Sequence, residues 1–383
     1  MTDVSSEMLL HVLPLVLAQV MGVGAPVVGL IEGAAESIAS LVKIVSGRLS
    51  DRFRARKRLA VLGYGLSAFT RPLFWFASSW GWLAAVRWVD RVGKGVRTAP
   101  RDALVADSTD ADQRGLAFGL HRAADTAGAV VGVAIALAVV IWVGDQGQIS
   151  ETTFRWLVIV ASVPGFIGVA VLAIFAHDVR PSIPPDAPRA SRPPMRSLGR
   201  PFFVFLAIAA LFEIGSPANA FIVLRASERG LDTAQILGMV LASNLVYALV
   251  SAPAGALSDR VGRKALLISG WLIYALVFAG LALATEGMQV VLLYVVLGLY
   301  PALTQGAAKA LIADLVPREA MATAFGAFAA VAGLLDLPAS LLAGLLWEGG
   351  LGLPAFGPAA PLWLGASTAT MAAIALIGLP TKR

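Results

Sequence analysis

Arg87, Asp90, Arg91, Lys94, Arg97, Arg101 and Asp102 recur at helical intervals within one otherwise apolar stretch of chain. At about 100° per residue they occupy roughly 140° of a helix circumference. Val86, Trp88, Val89, Val92 and Val96 supply much of the other face. Charge at membrane depth is costly unless paired or wetted, so this stripe must face partner charges or a water-filled cavity. Acids are at hand: Glu32 and Glu36 lie four apart, and His121, adjacent to Arg122, lies four before Asp125. One chemistry is a salt-bridge network that joins helices. The other is a cationic wall for an anionic solute (Arg87, Arg91, Lys94, Arg97) beside carboxylates that exchange protons (Glu7, Glu32, Glu36, Asp125). Charge type alone leaves the sign of the solute open. Gly93 and Gly95 flank Lys94 and allow close approach of a helix or a ligand.

Enzymatic chemistry finds little support. Gly93-Lys94-Gly95 lacks the spacing of a phosphate-binding loop, and His121-x-x-x-Asp125 is one residue short of the acyltransferase pattern. The chain has three histidines (His11, His121, His177) and no cysteine, so metal binding, thiol chemistry and histidine catalysis are not expected, nor is a cofactor.

The elements that position these groups follow from composition. A chain that is 58% hydrophobic and 14% charged carries too much apolar surface for one soluble core. Its mean hydropathy is +0.78. About twelve apolar segments can each cross a bilayer: 1–21, 26–48, 59–79, 81–106, 115–143, 154–176, 201–224, 233–257, 265–285, 288–313, 323–347 and 359–380. They must be helices, because an open sheet in lipid leaves backbone groups unpaired. A cleaved signal peptide is not expected. The pI near 9.9 reflects loop charge rather than nucleic-acid binding. Segments 50–58, 177–200, 258–264 and the Lys382-Arg383 tail are basic, whereas 80–81 and 144–153 carry no Lys or Arg; only 225–232, with Arg225 and Arg229, departs from this. The basic side is therefore expected to be cytoplasmic, with both termini inside a plasma (inner) membrane.

The chain also repeats itself. Gly47-Arg-Leu-Ser-Asp51-Arg52 returns as Gly255-Ala-Leu-Ser-Asp259-Arg260, Ala103–Asp107 as Ala310–Asp314, and Ala117-Phe-Gly119 as Ala324-Phe-Gly326, all near one offset of 208. Duplicated halves are a mark of secondary transporters. The halves are 1–176 and 201–383, joined by a Pro- and Arg-rich linker over 177–200.

Six plus six helices, a basic central loop and the paired G-x-x-S-D-R loops resemble the major facilitator superfamily over essentially the whole chain. The resemblance implies two rocking bundles, a midplane site lined by spans 1, 4, 7 and 10, and a conformational latch. Its matching positions are Gly47, Asp51, Arg52, Asp107, Gly255, Asp259, Arg260 and Asp314, with Asp107 and Asp314 placed to bond loop arginines. Arg54 stands where the second loop has Gly262. Arg91-Val-Gly-Lys-Gly95 matches the family's span 4 arginine motif loosely. Gly128-Ala-Val-Val-Gly132 is followed by Val133 rather than the proline of many exporters, so efflux is only weakly favoured.

The C-terminal half offers Tyr300, Gln305 and Lys309 on span 10 to complete a substrate site, and Glu213 on span 7, an isolated acid, as the best single candidate for proton coupling, with Asp3 a further one. Pro301 and Pro338 mark expected kinks. The repeat sets Met1 opposite Ala209, inside span 7; Asp3 then pairs by pseudo-symmetry with Glu213, either in a span that begins abruptly or in a chain lacking about ten residues, the latter being expected. The reading is a monomeric, proton-coupled transporter of a small polar or anionic organic solute. Multidrug or cation efflux and uniport are alternatives within transport, and a membrane receptor or enzyme outside it. If the latch holds, Asp51→Asn and Asp259→Asn insert normally but cycle slowly, Asp51→Asn the more so. Wild-type flux of both variants in proteoliposomes would remove the latch.

Overall fold

The computed structural model describes residues 1–53, 56–109, 114–144, 147–177, 195–317 and 320–379. Among them the secondary structure is helical, apart from one isolated bridge between Gly350 and Leu353. The helices follow twelve consecutive paths: α1 (Thr2–Val20), α2 (Ala25–Phe53), α3 (Arg56–Thr70), α4 (Trp80–Asp107), α5 (Arg114–Val143), α6 (Glu151–Phe175), α7 in two pieces (Arg200–Ile214 and Ala220–Glu228), α8 (Thr233–Val261), α9 (Arg263–Leu283), α10 (Gly287–Leu315), α11 (Met321–Glu348) and α12 (Ala360–Ile377). Eight of these, α1, α5, α6 and α8 to α12, are long and apolar enough to cross a membrane. The remaining four are α2 and α4, which carry intramembrane ion pairs, the short α3, and the interrupted α7. The chain is an integral membrane protein.

Alternate crossings put the ends of α2, α6, α8 and α12 on one face, here called the near face, and the ends of α1, α5, α7 and α9 on the far face. The repeat seen in sequence is also a repeat of helix bounds: α2 and α8 are both 29 residues long and start at Ala25 and Thr233. It extends to anchoring contacts. The guanidinium of Arg56 donates to the carbonyl of Ala103 at 3.0 Å, and that of Arg263 to the carbonyl of Ala310 at 2.9 Å. Arg263 also pairs with Asp314, one of the contacts expected of the loop arginines. The side chains of Asp51, Arg52, Asp107 and Asp259 lie outside the described residues.

Three interruptions fall three or four residues before a proline, which removes a donor and crowds the carbonyl four residues back. Helical pairing in α1 lapses after Leu10, resumes as an α-helical turn over Leu13–Leu15 that begins around Pro14, and continues as a π-helical turn over Val16–Val20. In α7 it stops at Ile214, before Pro217, and the chain runs unwound through 215–219. In α10 it breaks at Gly298, before Pro301. Span 7 was expected as one helix over 201–224; Pro217 divides it and its second piece reaches Glu228. Pro338, by contrast, sits inside a continuous α11.

The two halves meet along a far-face seam. α2 and α11 pack so closely that a Cβ on Gly29 or Gly33 would overlap the backbone carbonyls of Ser340 and Asp336. Glu348 accepts from the N–H of Ala25 at 2.5 Å, setting a negative charge on the positive end of α2. Gln19 donates to Ser227 at 2.8 Å and accepts from the N–H of Ile149 at 2.9 Å. Among the described residues, hydrogen bonds between halves lie at this face or near mid-membrane. Towards the near face α2 instead exposes Leu41, Val45 and Leu49.

The basic exception at 225–232 has a structural reason. Arg225 is 2% exposed and donates to the carbonyls of Leu281, Ala282 and Ala284, each at 3.1 Å, at the C-terminal end of α9, while pairing with Glu228 at 2.7 Å. It is a buried cap on carbonyls no helical N–H can reach, not a topological loop charge. Arg225→Leu should cost about 2–4 kcal/mol by stranding those carbonyls, read as a lowered unfolding midpoint in detergent, with Arg229→Leu close to wild type.

Candidate functional site

α4 is packed on both sides at its glycines. Gly93 lies against Gly63 and Ser67 of α3, and Gly95 against Ala39 and Val42 of α2, so the close approach expected around Lys94 is to helices. This packing brings the charged stripe onto the acids of α2. Arg87 meets Glu32 at 2.7 Å and Asp90 at 4.0 Å; Arg91 and Lys94 share Glu36 at 3.2 and 3.6 Å. Arg97 reaches Asp3 at 4.0 Å and lies over the Tyr64 ring at 4.5 Å. Arg101 contacts Asp102 at 3.0 Å and Asp125 at 3.8 Å, and Asp125 also meets His121 at 3.2 Å. Glu7 pairs with His11 at 3.4 Å. Arg87, Arg91 and Arg97 are buried in this network, whereas Lys94 and Glu36 remain 42% and 36% exposed at their side chains.

The unwound part of α7 opens space in mid-membrane. A cavity of about 250 Å³ brings Glu32, Glu36 and His11 of the N-terminal half together with Glu213, Asp336 and Ser340 of the C-terminal half. Neither Glu213 nor Asp336 has an ion-pair partner among the described residues. Ser340 accepts from the N–H of Ala218 at 3.0 Å and so ties α11 to the unwound segment. A second cavity, of about 340 Å³, shares Ser216, Pro217 and Asn219 with the first and is walled by tyrosines and amides of the C-terminal half. Tyr300 and Gln305 stand in it. A third, of about 930 Å³, shares Arg122, Tyr247, Pro301 and Gln305 with the second, and its lining runs towards the near face through Lys309, Arg101 and Gly255. The three form one path from mid-membrane towards that face.

The sequence-derived residues thus divide. Tyr300, Gln305, Lys309, Glu32, Glu36 and Glu213 line the path. Arg87, Arg91, Arg97, Asp3 and Glu7 are joined to partners in or beside the N-terminal network, and Lys94 lies at its exposed edge. Gly47 packs near Ala99, and Arg260 is exposed. Two cavity residues had no assigned role in the sequence: Asp336, a lone acid just before Pro338, and Arg122, whose contacts lie in the other half. Only an ionisable group in an apolar run could have flagged them.

The profile of the Major Facilitator Superfamily matches residues 1–335 and 202–382. An uncharacterised transporter of that superfamily from Methanocaldococcus jannaschii is 33% identical over 354 residues, 91% of this chain and 86% of the relative. A protein named as a probable 4-methylmuconolactone transporter, from Cupriavidus pinatubonensis, is 28% identical over 232 residues, 58% of this chain and 52% of its own. The crystal structure of a nucleoside transporter superposes with a TM-score of 0.74 at 14% identity, covering 99% of this chain and 96% of that one.

The buried Glu32–Arg87 pair sets a test of how the network holds. Glu32→Leu and Arg87→Leu should each destabilise by about 3–5 kcal/mol, because each leaves a buried charge alone. The double variant should lose far less than the sum. Additive losses in denaturant unfolding would show the two groups to be independent.

Proposed function

The chain belongs to the Major Facilitator Superfamily, and from that premise we propose that it is a proton-coupled secondary transporter of a small polar or anionic organic solute, working as a monomer by alternating access. The observation that carries the coupling is the mid-membrane cavity in which Glu213 and Asp336, without ion-pair partners among the described residues, face the unwound stretch of α7. Carboxyls so placed can take up and release protons as access changes, whereas Glu32 and Glu36 are held by arginines. Glu7 and Asp125 share histidines, and Asp3 stands by Arg97, which makes them secondary candidates for the same role.

By the excess of Lys and Arg in its loops, the near face is cytoplasmic and holds both termini, in a plasma (inner) membrane. The far-face seam and the path towards the near face then correspond to an inward-facing arrangement. Gly47, Asp51, Arg52, Asp107 and their repeats act as the latch, with Arg263–Asp314 one closed contact of it. Solute binds in the path at the Tyr300–Gln305 wall of α10, with Lys94, at the exposed edge of the α4 network, a secondary candidate contact. The relative named for 4-methylmuconolactone supports an organic solute. Efflux is weakly preferred. A second reading, export of cations, draws on the acids of the first cavity. The family match favours transport over an enzyme or a receptor.

Glu213→Gln is expected to abolish solute accumulation driven by a pH gradient in proteoliposomes while retaining solute exchange, which moves no net proton. Full accumulation by this variant would move coupling to Asp336 or the N-terminal acids. Flux indifferent to both proton and sodium gradients would make the protein a uniporter.

A further inference from the structure

Arg122 is unlike the cations of α4. Those meet carboxylates, whereas Arg122, an exposed side chain on α5, makes its contacts with neutral groups: Tyr247 Oη, at 3.1 Å from Nε and 2.9 Å from Nη2, and the Gln305 side-chain oxygen. Among the described residues no acid lies within ion-pairing distance of it. It is also the one residue of the N-terminal half in the lining of the second cavity. A guanidinium with neutral partners, open to a cavity inside a membrane protein, retains its attraction for an anion. It presents the planar fork that fits a carboxylate through two parallel hydrogen bonds.

The rest of that cavity describes what the carboxylate is attached to. Tyr274 and Tyr300 meet edge to face at 5.0 Å, and Tyr274 stacks on Phe278 at 3.9 Å, giving an aromatic wall. Asn219 and Asn244 add amides at its rim. Aromatic walls favour a flat or apolar ring, with hydroxyls and amides placed for a few polar substituents. A volume of about 340 Å³ falls at the small end of ligand sites, which span about 300–1,000 Å³. One accessible arginine suits a single negative charge. Lys309, one turn beyond Gln305 and lining the third cavity, offers a second cationic contact towards the near face.

We infer that the second cavity binds a small ring-bearing monocarboxylate, its carboxylate on Arg122 and its ring against the Tyr274–Tyr300 wall. This rests on the transport reading above and names its substrate class. A solute so placed spans the halves, with its charge on α5 and its ring on α9 and α10. Binding therefore changes contacts between the parts that must move, which a ligand must do to shift a conformational equilibrium. Tyr247 and Gln305 hold the guanidinium in the meantime and are the contacts the carboxylate exchanges with.

The test measures binding of benzoate, 4-hydroxybenzoate, benzamide, benzylamine and acetate to purified full-length protein by calorimetry, followed by pH-driven flux of radiolabelled benzoate in proteoliposomes. The ring carboxylates are expected to bind, with benzamide, benzylamine and acetate much weaker. Arg122→Ala should weaken benzoate by roughly 10- to 100-fold, the range for a lost charge-assisted contact. Gln305→Glu guards against misfolding: it sets a carboxylate beside Arg122, keeps the side-chain size, and should abolish benzoate binding while the melting temperature holds. Equal binding of benzamide and benzoate, wild-type benzoate affinity in Gln305→Glu, or no binding of either ring carboxylate would overturn the assignment. Benzoate binding that depends on Arg122 but is accompanied by no flux would uphold the site and reject the transport reading instead. Accumulation of a labelled amine or sugar without carboxylate binding would do the reverse.

Discussion

Charge is expensive in hydrocarbon, and α4 carries more of it than any other path. The cost is met by pairing, chiefly with acids of α2 and with Asp3 and Asp125 from α1 and α5. The helix spacing follows from this. Salt bridges of 2.7 to 3.6 Å demand that α2 and α4 lie close, and Gly95, with Gly93 and Gly63 on the α3 side, removes the side chains that would prevent it. A network with few spare partners resists internal rearrangement and rigidifies the helices it joins.

The C-terminal half meets mid-membrane polarity differently. Its groups are hydroxyls, amides and isolated acids, and its polar space comes from proline. Pro217 and Pro301 each end a helical run and free carbonyls beside a cavity, as irregular backbone in a membrane protein must do if it is not to face lipid. Two halves alike in helix bounds are thereby unlike in chemistry, the first tightly ion-paired, the second carrying hydroxyls, amides and unpaired acids beside the unwound stretch of α7.

Much of the architecture was legible in the sequence. Hydropathy marked the paths, eight of them long and apolar enough to cross a membrane, the paired loops marked the repeat, and the α4 stripe with Glu32 and Glu36 marked an ionic cluster, because these are local or periodic signals. The sequence did not reveal which cations the cluster would consume. Arg87, Arg91 and Arg97 read equally well as ligands for a solute until α2 was seen to lie against the first two and Asp3 and Tyr64 against the third. Arg122 was hidden for the opposite reason, since its partners are 125 and 183 residues away and neither is charged. Pro217 was visible, but whether a proline kinks a helix or opens it depends on neighbours: Pro338 is absorbed by a continuous α11. Arg225 violated the loop-charge pattern because burial against the end of α9 cannot be read from a charge count.

The paired anchors Arg56–Ala103 and Arg263–Ala310 end on backbone carbonyls, not on side chains. A carbonyl is supplied by whatever amino acid occupies the position. Substitution at 103 or 310 therefore leaves the acceptor in place, and no compensating change is demanded at 56 or 263. Across a set of descendants these two contacts would leave no correlated substitutions, although they tie α3 to α4 and α9 to α10. Coevolutionary maps of such a chain would register the α9–α10 joint through the Arg263–Asp314 ion pair and miss the carbonyl anchor beside it.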